Sequence, residues 1–240
     1  MKFLNFRDIN IESASTWEGK AILSFDIDWA IDPVVNDVLD LLDSVNIKAT
    51  FFITHQTPIL DRIRANPNYE LGIHPNFNPL IEQKPHALSA KQTLENLLTI
   101  VPEAKVIRSH GMTHSGSWLT IYKEMGIKYL SQYYMGGVET IQPFAHINGL
   151  VEAPIYFADD GYAFEKELGK DFDLALSLSS NLNFLKVFNF HPIHLKLNTP
   201  NISFYNKSRA YFHSIEDLNN IKYKGHGVFS LFKKLVNLNE

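Results

Sequence analysis

The chain has 240 residues, 45% hydrophobic and 20% charged, with 12 glycines and 11 prolines, which suits a globular fold and excludes collagen-like, coiled-coil and disordered chains. Its 22 basic against 26 acidic residues give a net charge of −4, so no global positive field gathers phosphates, and neither nucleic acid nor a membrane is expected as a partner. The absence of cysteine removes disulfides, thiolate nucleophiles and thiolate metal sites, and leaves ten histidines as the prominent metal-ligating side chains.

No repeat, low-complexity tract or Ser/Gly linker divides the sequence, so residues 1–240 read as a single domain. The opening Met1–Ser13 breaks its apolar residues with Asn5, Arg7 and Asp8, too early for a signal sequence. Nowhere do about 18 apolar residues run together, and a soluble, cytoplasmic protein is expected. From Ala21 to Asp28 the chain is apolar and then abruptly acidic, as in a buried strand whose end emerges at a site. A helix follows, with Asp32 as N-cap, Pro33 as first helical residue, and Val34, Val35, Val38, Leu39, Leu42 and Val45 at helical spacing through to Asn46. Lys48–Thr54 reads as a strand, Thr57–Ala65 as a helix and Tyr69–His74 as a strand; a helix opened by Ser89 and a strand over Lys105–His110 come next. Beyond them Ser117–Met125 is helical, Ile127–Tyr134, Leu150–Phe157 and Leu185–His191 are extended, and Ser214–Ile221 and Val228–Leu238 are helical. The alternation predicts an α/β fold with a parallel sheet wrapped by helices, barrel or doubly wound, with the chemistry at the strands' C-terminal ends.

That rule sorts the polar residues. Asp26 and Asp28 lie at i and i+2, on one side of a strand that stays extended. Two carboxylates so close call for a cation, a divalent metal with one carboxylate ligating and the other free as a base; the alternative is a solvated turn before the helix. His74 ends a strand and enters a loop with two prolines and two asparagines, and is either a ligand or a hydrogen-bonded core histidine. Arg108 and His110 again share one side: the arginine can orient a carboxylate bidentately and the histidine can ligate, or the two can form an ion pair and a packed ring. His191, stopped by Pro192, stands at a strand mouth where an imidazole can protonate a leaving group, whereas His194 beyond the proline reads as packing. His55, His86, His114, His146, His213 and His226 lack a partner spacing, and no HExxH, GxSxG, Walker or GxGxxG pattern occurs. The amphipathic C-terminal stretch around Phe229, Phe232, Lys233 and Lys234 reads as a helix docked on its own core.

Together these residues resemble the polysaccharide deacetylase family, the NodB-homology or carbohydrate esterase 4 group. Ser24–Asp28 (SFDID) is similar to its first motif, Glu70–His74 (ELGIH) to its second, Arg108 to its third, and His191 in Phe190–Pro192 to its fifth, while Val151–Pro154 through Asp159 and Asp160 weakly resembles the fourth. The resemblance implies an incomplete, distorted (β/α) barrel and a metal-dependent hydrolase that removes an acetyl group from an amino sugar or acetylated glycan. It implies Asp26 as base, Asp28 and His74 as ligands, Arg108 as the group orienting the base and His191 as the acid. The family's second histidine is replaced by Asn78, so His110 is the expected third ligand, with Asn78 or Asn76 as substitutes. The implied cofactor is a divalent metal, zinc first. Trp29, Asn76 and Asn78 are candidates for substrate contact, and Trp29, Phe77, Tyr133, Tyr134 and Tyr156 for stacking on sugar. Three other readings stand beside this one: a hydrolase opening a small cyclic amide on the same scaffold, a non-catalytic sugar-binding protein with a degenerate site, and a purely structural or interaction barrel in which Asp26, Asp28 and Arg108 form an ion-pair cluster.

Overall fold

The computed structural model describes residues 1–170 and 184–238. Its strands are β1 (Lys2–Leu4), β2 (Lys20–Asp26), β3 (Ala49–Ile53), β4 (Tyr69–Ile73), β5 (Val106–Ile107), β6 (Tyr129–Leu130), β7 (Phe144–Ala145), β8 (Val151–Glu152), β9 (Ile155–Ala158) and β10 (Lys186–Phe190). They form one sheet in the order β7-β8-β6-β5-β4-β3-β2-β10-β9, and every pairing is parallel except β7 with β8. The central strands β3, β4 and β10 are buried at every residue, which is why they read as unbroken apolar runs rather than alternating ones. At the sheet's far edge Tyr134 bridges to Ile155, with Met135 N–H donating to Ile155 O at 2.8 Å and Ile155 N–H to Tyr133 O at 2.8 Å. This contact curls β9 back towards the segment after β6 and makes the sheet the incomplete barrel that the family resemblance implied.

The helices are α1 (Asp32–Val45), α2 (Ile59–Ala65), α3 (Asn78–Ile81), α4 (Ala90–Ile100), α5 (Trp118–Glu124), α6 (Asp159–Glu167), α7 (Pro192–Leu197), α8 (Ile202–Ser208), α9 (Ile215–Ile221) and α10 (Val228–Leu235). In α1 the predicted face, Val34, Val35, Val38, Leu39 and Leu42, is buried, and the helix ends on Asn46 in the left-handed region at φ 50°. Asp32 is not its cap: Ile31 holds that position, and the Asp32 carboxylate instead accepts the Thr57 hydroxyl at 2.5 Å. Ser89 caps α4 as expected, its Oγ accepting from Gln92 N–H at 3.3 Å while Gln92 Oε1 accepts from Ser89 N–H at 3.0 Å. Helix α10 buries Val228, Leu231, Phe232 and Leu235 in the core.

Three expected strands are shorter than their apolar runs. Lys105–His110 pairs only over Val106–Ile107, Ile127–Tyr134 only over Tyr129–Leu130, and Leu150–Phe157 is cut at Pro154 into β8 and β9. Proline offers no N–H to a ladder, so the break falls there. Strand β1, absent from the sequence reading, pairs with the first half of β2, Lys2 opposite Lys20 and Leu4 opposite Ile22. Among the described residues no helix is long and apolar enough to cross a membrane.

Candidate active site

The register of the sheet gathers the predicted residues on one rim. Ile53 lies opposite Ile73, Ile73 opposite Ile107, and Phe190 opposite Phe25, so the residues that follow, His74, Arg108, His191 and Asp26, emerge side by side. Asp26 and Asp28 do converge, but not by strand alternation. The strand ends at Asp26, and Asp28 turns into the left-handed region at φ 39°, a conformation aspartate tolerates, with its carbonyl held by the Thr54 hydroxyl at 2.9 Å.

Asp26 is buried and gripped on both oxygens. Arg108 Nη1 donates to Oδ1 at 3.0 Å and Asn189 Nδ2 donates to Oδ2 at 2.8 Å. The bidentate arginine fork expected from the sequence is therefore a shared clamp, because the rest of the guanidinium is engaged elsewhere. Nη1 also reaches Ser24 Oγ and Asn189 Oδ1, Nη2 reaches Ser131 Oγ, and the group lies 4.3 Å from the centre of the Phe52 ring. Burial pushes Asp26 towards its neutral form, but Arg108, His74 and His191 together hold its pKa below the ordinary carboxylate value. Asn189, which the sequence reading did not single out, sits inside an apolar strand and carries no motif.

Asp28 stands between two imidazoles. Its Oδ1 lies 3.3 Å from His74 Nε2 and 3.2 Å from His110 Nδ1, and the three ligand atoms all fall within 4.8 Å of one another. Ligands about 2.0–2.2 Å from a tetrahedral zinc ion are themselves about 3.3–3.5 Å apart, so this set of two nitrogens and one carboxylate oxygen fits such an ion. Desolvation opposes the Asp28 charge, yet the His110 and His74 contacts outweigh it and draw the carboxyl far below the usual range. His110 shifts the other way, its pKa raised by the same contact. Asn78 stands apart: its Oδ1 accepts the Thr113 hydroxyl at 2.7 Å. Asn76 Oδ1 accepts from the Asn78 N–H at 3.0 Å and closes the loop locally.

Opposite these groups, His191 Nε2 lies 3.5 Å from Asp28 Oδ2 and 3.8 Å from Asp26 Oδ2. Its other nitrogen, Nδ1, meets Asp159 Oδ1 at 2.6 Å, and the second Asp159 oxygen accepts the His191 backbone N–H at 2.6 Å. Burial works against the imidazolium, but Asp159 raises the His191 pKa well above its ordinary value, while burial lifts Asp159 itself to about 6. Asp159, His191 and His194 also lie close enough to hold an ion. The direct contact occupies His191 Nδ1, however, and makes Asp159 an orienting partner.

A cavity of about 290 Å³ opens over the rim, lined by both aspartates, all three site histidines, Arg108, Asn189, Trp29 and Tyr205. A second, of about 390 Å³, shares Asp28, Trp29, His74 and His110 with it and reaches Asn76 and Asn96. Trp29 is 46% exposed between the two, its ring meeting the His110 ring at 5.1 Å and 65°. Of the other aromatic candidates, Tyr133 and Tyr134 are partly exposed, whereas Phe77 is buried against Trp118 and Tyr156 is buried and donates to Glu139, so both belong to the packing.

Comparison with known proteins shows the family and the fold. The family described as WbmS-like polysaccharide deacetylase matches residues 23–209. A Bordetella bronchiseptica protein described as a polysaccharide deacetylase involved in O-antigen biosynthesis is 33% identical, with a TM-score of 0.92 over 100% of this chain and 98% of that chain. A Mycobacterium smegmatis structure described as a polysaccharide deacetylase is 17% identical, with a TM-score of 0.49 over 90% of this chain and 88% of that one. A family 4 carbohydrate esterase from Streptomyces lividans is 13% identical, with a TM-score of 0.43 over 85% and 88%. No curated protein matches the chain.

Proposed function

The chain belongs to the WbmS-like polysaccharide deacetylase family, and from that premise we propose that it is a metal-dependent hydrolase removing an acetyl group from an amino sugar of a surface-polysaccharide glycan or its precursor. The observation that carries this reading is the meeting of Asp28, His74 and His110 beside an Asp26 gripped by Arg108 and Asn189, with His191 opposite. The O-antigen role of the 33% identical relative supports the substrate class.

Asp28, His74 and His110 would hold the metal, zinc first among divalent ions, and when bound it supplies a Lewis acid that polarises a carbonyl and acidifies water. Asp26 takes the proton of the attacking water, and the clamp of Arg108 and Asn189 keeps that carboxylate ionised and aimed. His191, held protonated by Asp159, donates from Nε2 to the departing amine, so that it leaves neutral. Trp29 offers its exposed ring to a sugar face, and Asn76 an amide to sugar hydroxyls.

The test is acetate release from N-acetylated oligosaccharides and from purified acetylated O-polysaccharide. Release that stops with EDTA and returns with added zinc is expected. Release indifferent to chelation removes the metal from the proposal, and no release from any acetylated glycan removes the deacetylase.

A further inference from the structure

A third cavity, of about 640 Å³, lies where the segment from Lys222 to Leu238 folds over Asn198, and it shares no lining residue with the two at the reaction centre. Lys222, Lys224, His226, Lys233 and Lys234 line it, and among the described residues no aspartate or glutamate does. Such a concentration of positive charge stands out in a chain of net charge −4. Lys222 and Lys233 are half-buried, with their ammonium groups 4.5 and 5.7 Å from the centre of the same Phe229 ring. Asp37, which acts on Lys222 from the neighbouring cavity that Asp40 also lines, is itself paired with Lys196 at 2.6 Å. Burial, reinforced by the neighbouring ammonium groups of Lys196, Lys224 and Lys233 and opposed by Asp37, holds Lys222 below the ordinary lysine value.

The pocket is built rather than draped. Asn198, itself buried, donates through Nδ2 to the carbonyls of Tyr223 at 3.0 Å and Gly225 at 2.8 Å, and accepts on Oδ1 from the N–H groups of Phe229 at 3.0 Å and Ser230 at 3.3 Å. Tyr223 N–H donates to Leu197 O at 2.9 Å and Val228 N–H to Thr199 O at 3.0 Å, so both ends of the lysine loop are pinned. Any side chain at Gly227 would collide with the Asn198 carbonyl. Because Asn198 already takes the first free N–H groups of α10, recognition falls to the lysines.

We propose that this pocket binds the phosphate groups of an anionic, phosphate-bearing ligand. Several ammonium groups around one concavity match the charge of a diphosphate and exceed that of a single carboxylate. The ligand is either a soluble diphosphate or the headgroups of anionic lipid. Lipid would be met through phosphate alone, since the apolar face of α10 is already spent on the core.

Calorimetric titration of the full chain with sodium pyrophosphate is the direct test, alongside cosedimentation with phosphatidylcholine vesicles made with and without phosphatidylglycerol. One pyrophosphate per chain is expected, weakened roughly tenfold in Lys222→Gln/Lys233→Gln and unchanged in Lys91→Gln, an exposed lysine on α4. Lys224→Gln/Lys234→Gln provides the same contrast without disturbing the packing on Phe229. Lysine-dependent binding of pyrophosphate identifies a soluble ligand. Lysine-dependent binding of phosphatidylglycerol vesicles without pyrophosphate binding identifies the lipid headgroup. If the wild type binds neither, or both double variants bind as well as the wild type, the proposal is overturned.

Discussion

Asp26 has both oxygens occupied before any substrate arrives, Oδ1 by Arg108 and Oδ2 by Asn189, so its charge and its direction are set by the fold. Asp26→Asn preserves the shape and removes the base; acetate release should fall roughly 10²–10⁴-fold while the metal content per chain, measured on the same preparation, stays that of the wild type. His191 owes its raised pKa to Asp159, and a raised pKa keeps the imidazole protonated to higher pH. The alkaline limb of the kcat/KM profile should therefore lie above the ordinary imidazole value near 6.5 and move down towards it in Asp159→Asn. A limb that does not move would exclude His191 as the titrating acid. Asp26, Asp28, His74, Arg108, His110 and His191 were legible in the sequence as polar residues at the ends of apolar runs, although each taken alone also suited a turn, an ion pair or a packed ring. The parts played by Asn189 and by Asp159, which entered only through a weak motif resemblance, were not, for a physical reason. An asparagine inside a strand looks like a ladder residue, and an aspartate opening a helix looks like a favourable first-turn charge, so neither role appears until the neighbouring strand is in place.

At the scale of elements, the stretch Glu70–His74 does structural work beyond presenting its histidine. Buried Glu70 accepts from the N–H groups of Phe6 at 2.8 Å and Arg7 at 3.0 Å and from the Thr50 hydroxyl at 2.8 Å, fastening the N-terminal segment to β4. Glu70→Ala strands three donors; a loss of about 2–4 kcal/mol is expected in urea unfolding, with the residual activity of the folded fraction unchanged. At Gly72 an added Cβ would come within 2.8 Å of both Phe52 and Val106, so Gly72→Ala should cost about 1–3 kcal/mol by the same measurement. The motif thus combines a fastening, a close strand contact and a ligand candidate within five residues. The N-terminal strand that Glu70 fastens escaped the sequence reading because three paired residues are too few to show a period. The truncated strands β5 and β6 were overestimated for the complementary reason: extended sequence does not show where pairing stops, and beyond the last pairing Arg108, Ser109, Ser131 and Gln132 are buried in loops instead of a ladder while Tyr133 and Tyr134 are exposed.

Across the whole molecule, opposing charges meet at the C-terminal rim of the sheet, and their pKa shifts bracket the pH range over which the folded state gains from them. The depressed pKa of Asp26 contributes stability above the unfolded carboxylate value, lost as pH falls through the folded one; the raised pKa of His191 contributes below about 6.5 and is lost as pH rises through its folded value. Net charge, read from composition, carried no trace of the lysine pocket at α10, since a sum hides where charges lie. A parallel sheet wrapped by helices was legible from strand and helix alternation, which left barrel and doubly wound sheet open; the incomplete barrel came from the family resemblance, and its closure through Tyr134 and Ile155 depends on long-range pairing that no local pattern encodes. Everything assigned to the rim turns on whether Asp28, His74 and His110 bind a metal together. Elemental analysis of the chain after supply of zinc measures this directly. About one zinc per chain in the wild type, in Asp26→Ala and in Asn78→Ala, and none in Asp28→Ala, His74→Ala or His110→Ala, is the predicted result. A wild type that takes up no divalent ion, or full occupancy in all three ligand variants, would contradict it.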